Sequence, residues 1–283
     1  MEINKQMMTI ETRKFLKTIF SLPEIEKVAI KDIVIESLED KVHIEEGLEK
    51  CFHDKFSDVD FNLWVKLSRE DFEEQTPIYK RYFPRLGLKD KIFGVVFQER
   101  MKGETCKEGL RICLKSGFRM DVTCFTRYDE RVLTLPQSDL REHIVLKQEK
   151  DFWEDWDLDK INEFWFISIQ ALGKLMRKDY LIADHLAYML LMEGIVVQMV
   201  MRDNQYGTNV HRYGYGEELA YLNVDMKGAE VFKTKNDKVY NAIVEHLYAA
   251  VVSYDQLVQK VNPLYMSRKD VFFEIWRTYI KKS

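Results

Sequence analysis

The sequence predicts an α+β chain followed by an all-helical part. Two observations carry this. Short runs rich in β-branched and aromatic residues fill residues 42 to 125, and long 3.6-residue periodicity fills the chain beyond Pro136. Strands in one half and helices in the other point to an α+β domain plus a helical one, rather than to alternating βα units. The boundary is expected between 136 and 150, giving domains 1–140 and 141–283.

From the start, IETRKFLKTIF (10–20) places Leu16, Ile19 and Phe20 on one side of a helix, and Pro23 interrupts it. Residues 24–38 are read as a second helix, with Ile25, Ala29, Ile33 and Leu38 as its buried stripe. The β-like runs are VHIEEG (42–47), FNLWVKL (61–67), IFGVVFQE (92–99), LRICLKS (110–116) and FRMDVTCF (118–125), several parted by turn signals such as KGE and KSG. Beyond the boundary, 159–178 and 181–201 read as long helices. Residues 236–261 repeat the pattern, with Val239, Ile243, Leu247, Val251, Tyr254 and Val258 on one face, until Asn262-Pro263 stops the helix. Residues 268–281 form a last short one.

Composition excludes several classes. Hydrophobic residues are 46% and charged residues 32%, an ordinary globular balance. The net charge of −4 gives no overall basic signature, so no nucleic-acid partner is expected. No stretch has some 18 uninterrupted apolar residues, so no membrane partner is expected, and the N-terminus lacks a signal-peptide core. Cys51, Cys106, Cys113 and Cys124 show no CxxC spacing, which favours a reduced, cytoplasmic protein. The six histidines form no HExxH and no paired Cys/His grouping, against zinc. Neither a GxxxxGK[ST] loop nor a GxGxxG turn occurs.

KFSDVDFNLWV (55–65) carries the chemistry. Aspartate is depleted in strands, yet Asp58 and Asp60 stand one residue apart where a strand begins. Side chains alternate across a strand, so Asp58, Asp60 and Asn62 share one face, while Val59, Phe61, Leu63 and Val65 share the other. Adjacent carboxylates repel, and a cation between them lets both ionise. Mg²⁺ suits such a site. A calcium EF-hand fails, because Leu63 and Arg69 stand where glycine and glutamate are needed. A solvated turn remains the plain alternative for the pair alone. In GFRMDVTCF, Arg119, Asp121 and Thr123 alternate with Met120, Val122 and Cys124. Asp121 thus becomes a third carboxylate on a polar strand face. Three such carboxylates outline a two-metal phosphoryl-transfer site with Asp58, Asp60 and Asp121 as ligands. Arg119 could touch phosphate or pin a carboxylate.

At these residues the first half resembles the nucleotidyltransferases of the DNA polymerase beta superfamily. It is most similar to the antibiotic-modifying streptomycin (aminoglycoside) 6-adenylyltransferases, and more distantly to the lincosamide nucleotidyltransferases. FSDVDFNLWV matches the Asp-x-Asp strand, KIFGVVFQE the middle strand, GFRMDVT the third-aspartate strand, and EFWFISIQALGKLMRKDYLIA a helical segment. The similarity spans about residues 40 to 215. It implies a mixed sheet with flanking helices, then a helical bundle. It also implies transfer of a nucleoside monophosphate, AMP from ATP or the equivalent from another NTP, to a small-molecule hydroxyl such as that of an aminoglycoside or lincosamide, with Mg²⁺.

By the same resemblance Asp179 would be the general base, with Glu163 and Glu193 as weaker candidates. Gly47, Ser57, Arg119 and Lys174 would contact the nucleotide. The sequence departs from the family at its Gly-Ser turn: Gly47 is followed by Leu48, and Glu36-Ser37 keeps a serine farther upstream. Residues 150–166, with Asp157 and Asp159, could line a cleft for a polycation or simply begin a helix, and His211 and Arg212 could reach nucleotide. Two other functions stay open: a degenerate relative that binds nucleotide without turnover, and a toxin–antitoxin nucleotidyltransferase acting on protein or tRNA.

Overall fold

The computed structural model describes residues 2–22, 25–54, 56–66, 88, 91–101, 105–127, 160–206 and 224–282. The expected boundary at 140, residues 150–159 of the acidic 150–166 segment, and His211 and Arg212 lie outside the described residues; residues 160–166 of that segment begin a helix. The fold is α+β: a six-stranded mixed sheet with flanking helices, and a C-terminal helical region. The chain divides into two compact units, Met1–Asn162 and Glu163–Ser283.

In the first unit, α1 (Glu2–Ile19) leads into β1 (Ile25–Ile30) and β2 (Ile33–Ile35). Next come α2 (Lys41–Cys51), β3 (Val59–Lys66), β4 (Ile92–Met101), β5 (Thr105–Leu114) and β6 (Arg119–Arg127). The strand order is β2-β1-β3-β6-β5-β4. Only β3 and β6 run parallel among the paired strands described. Leu16 and Ile19 of α1 and Ile44 and Leu48 of α2 pack with Val59, Phe61, Leu63 and Val65, all buried in one core. The alternation expected for β3 is therefore observed.

Two expectations are corrected. Within the stretch 24–38, read as a helix, residues 25–35 form the β1–β2 hairpin instead, in which Ile30 pairs with Ile33. A four-residue spacing of Ile25, Ala29 and Ile33 satisfies a helical stripe, but β-branched density and neighbouring strands decide for the sheet. The connecting Lys31 sits in the left-handed region at φ 58°, costing about 1–2 kcal/mol for a residue with a side chain. Three contacts offset this. Its N–H donates to Asp60 O at 2.6 Å, its carbonyl accepts from Asn62 Nδ2, and its ammonium reaches Lys50 O at 3.2 Å. Second, VHIEEG is not a strand but the first half of α2, whose N-cap Asp40 accepts from the His43 N–H.

The second unit is built from α3 (Lys160–Met176), α4 (Tyr180–Tyr206), a short 3₁₀ helix (Met226–Phe232), α5 (Lys238–Val261) and α6 (Lys269–Lys282). Helix α3 starts at the division between the units. As expected for α5, Ile243, Leu247, Val251, Tyr254 and Val258 are buried and Asn262 is its C-cap; Val239, in the first turn, is exposed instead. Phe164 stacks on Tyr254 with ring centroids 3.6 Å apart. Helix α4 packs along α5. By length and composition its Tyr180–Met199 stretch is apolar enough to cross a membrane, although Asp184 within it bonds His246 of α5 at 3.0 Å.

Candidate carboxylate site

The site grows from the parallel pairing of β3 with β6. Strand β3 lies in register with β6 so that Asp60 is directly opposite Asp121, and Val59 opposite Met120. Parallel neighbours in register present their side chains on the same face, so both carboxylates leave the sheet on its polar side. On the other flank of β6, Arg111 of β5 is paired with Asp121. Asp58 stands one residue before β3, in the loop from α2. The structure thus brings Asp58, Asp60 and Asp121 together, as the alternation predicts.

Two arginines knit the cluster. Arg111 Nε donates to Asp121 Oδ2 at 3.0 Å, and Arg111 Nη2 lies 3.8 Å from Asp58 Oδ2. Arg119 Nη2 lies 3.7 Å from Asp58 Oδ2 and donates to the Phe56 carbonyl. With its side chain only 5% exposed, Arg119 pins the Asp58 loop, one of the two roles expected for it. Arg111 is not anticipated from the sequence. The signal was available, since Arg111 alternates with buried Leu110 and Ile112 just as Asp121 does with Met120 and Val122.

Burial sets the electrostatics. It pushes the Asp121 carboxyl up to about 6; the Asp58 and Asp60 charges add to the rise and Arg111 opposes it. Asp60 is raised by burial and by Asp58, against Lys31 and Arg111. Asp121 Oδ1 is buried with no hydrogen-bond partner. A buried carboxylate oxygen left without a donor is costly. Together, these features make a charge-hungry cluster that fits a hard cation in donor chemistry. Among the described residues, however, no three His, Cys, Asp or Glu side chains already converge on one metal position. Arg111 reaches into that space.

The remaining expected residues have their own surroundings. Gly47 is not in a phosphate-cradling turn. It lies inside α2, buried against β1, where an added Cβ would come within 2.6 Å of Ile30 Cβ. The hydroxyl of Ser57 is turned inward to its own loop: it accepts from the His53 and Asp54 N–H groups at 3.1 and 3.0 Å and bonds Asp54 Oδ1 at 3.3 Å. That turn aims Asp58. In the helical unit, Lys174 Nζ is 3.1 Å from Asp179 Oδ2, and Asp179 sits at the junction of α3 and α4 where Lys178 is left-handed at φ 62°. Glu163 and Glu193 lie on α3 and α4.

No protein-family model matches the chain, and no curated protein matches it. One solved structure, an aminoglycoside 6-adenyltransferase from Bacillus subtilis, is matched over 95% of this chain and 98% of its own, at 14% identity and a TM-score of 0.26. A superposition that poor carries no argument about the activity of this chain.

Proposed function

We propose that the chain is a Mg²⁺-dependent nucleotidyltransferase, a cytoplasmic enzyme moving a nucleoside monophosphate, AMP from ATP first of all, to a hydroxyl of a small molecule such as an aminoglycoside or lincosamide. The observation that supports this reading is the set of three carboxylates on and beside two adjacent parallel strands, with Asp121 Oδ1 buried and unpartnered. Asp58, Asp60 and Asp121 would hold the cation. When bound, such ions neutralise the triphosphate and acidify the attacking hydroxyl. The chain's own groups supply the rest. Arg119 fixes the Asp58 loop. Asp179, paired with Lys174, is kept as the candidate base that would take the acceptor proton as the acceptor's oxygen bonds the α-phosphorus and the bond to pyrophosphate breaks.

A second reading, a relative that binds nucleotide without turnover, is favoured by one observation. The Gly47 segment is helix rather than phosphate turn, and acidic Asp40 already caps its N-terminus. One screen separates the two: Mg-NTPs against a panel of aminoglycosides and lincosamides, following pyrophosphate release. The expected result is release with ATP and one acceptor. It falls about 100-fold or more in Asp121→Asn, and in Asp179→Asn through kcat alone. Release that survives Asp121→Asn overturns the metal assignment. ATP binding without release selects the second reading.

A further inference from the structure

Arg111 has no task in the reaction as proposed, yet it is the most central cation of the carboxylate cluster. Its guanidinium spans two chain segments, 3.0 Å from Asp121 Oδ2 and 3.8 Å from Asp58 Oδ2. The two arginines are not equivalent. Arg119 is 5% exposed and tied to the Phe56 carbonyl, whereas the Arg111 side chain, on the polar face of β5, is 22% exposed. One is enclosed; the other borders solvent.

A divalent cation held by these carboxylates would sit about 2.1 Å from its oxygens. A guanidinium cannot stay on the same oxygens, since the two positive charges would then face each other at a few ångströms in a part-buried site. We infer that Arg111 is an exchangeable counter-ion: it holds Asp58 and Asp121 together until a divalent cation arrives, then yields those oxygens and turns its planar fork to the incoming triphosphate. The inference rests on the proposed metal site. A guanidinium suits both duties, because its fork matches carboxylate and phosphate alike. Formal charge is consistent with the exchange. Three aspartates face two arginines, with Lys31 adding positive charge near Asp60, so the cluster is compensated without metal. The orphaned Asp121 Oδ1 is the oxygen on which a cation can first land.

The experiment is a Mn²⁺ titration without nucleotide, reading the free-ion signal by electron paramagnetic resonance, on wild type, Arg111→Ala, Arg111→Lys and Asp121→Asn. The expected result is about tenfold tighter Mn²⁺ binding in Arg111→Ala, an intermediate value in Arg111→Lys, and lost binding in Asp121→Asn. Equal or weaker binding in folded Arg111→Ala overturns the inference and leaves the metal site standing. Mn²⁺ affinity unaffected by Asp121→Asn instead removes the metal site itself. A second arm needs no alanine variant. The Arg111 Nε–H resonance, assigned by its absence in Arg111→Lys, is expected to be protected in the metal-free protein and to lose that protection on adding Mg²⁺. A signal that stays protected at saturating Mg²⁺ overturns the exchange.

Discussion

At the residue scale the site is a place where function opposes stability. The Asp121 carboxyl, raised to about 6 from 3.8 chiefly by burial, binds its proton more tightly in the folded than in the unfolded chain. Its favourable contribution is therefore complete below about pH 4 and is lost as pH rises through 6. Asp60 shifts in the same direction. In the presence of a chelator, Asp121→Asn should accordingly be more stable than wild type at pH 7, and the gap should close toward pH 4 to 5. Urea unfolding at several pH values measures this. A gap that widens on acidification would show that the Arg111 ion pair, not burial, dominates at Asp121. The variant that abolishes the proposed chemistry is thus the one expected to stabilise the protein, as befits a group kept for what it does.

At the element scale, α2 shows why a close contact cannot be read from a sequence. Gly47 is needed because the helix backbone approaches β1 too closely for a side chain. Gly47→Ala forces overpacking against Ile30 and should cost about 1–3 kcal/mol, seen as a lowered urea midpoint. Residues 42–47 suggest a strand through β-branched Val42 and Ile44, yet Asp40 nucleates a helix there. Residues 25–35 mislead the opposite way, since a spacing of four is shared by a helical stripe and by alternate strand positions. The long helices of the second unit and the four strands β3 to β6 are legible, because each keeps a single period over most of its length. The polar faces are legible too, which is why the three aspartates stand out. Arg111 too stands at a polar position of an alternating strand, but its pairing with Asp121 depends on strand order, and no period encodes that order.

At the scale of the whole molecule, the chain divides into two compact units, and each has buried apolar residues of its own. The helical core has its own polar anchor. Buried Asp255 of α5 accepts from Gln259 at 2.8 Å, from the Tyr265 and Ser267 hydroxyls at 2.7 Å each, and from the Arg268 N–H at 3.0 Å, tying the α5–α6 connection to the helix. Asp255→Ala strands those donors and should cost about 3–5 kcal/mol. Calorimetry should resolve two transitions, with this variant lowering one and leaving the Mn²⁺-responsive one in place; a single transition shifted as a whole would mean the units unfold together. The parallel pairing of β3 with β6 has a consequence for how the chain comes together. Asp60 and Asp121 are some sixty residues apart and meet only when a long loop closes, a slow step for any polypeptide. Arg111 and Asp121, by contrast, face each other across a hairpin with a turn of four residues at Lys115–Phe118. The Arg111–Asp121 pair is thus local to one hairpin and does not depend on the long-range closure that sets Asp60 beside Asp121.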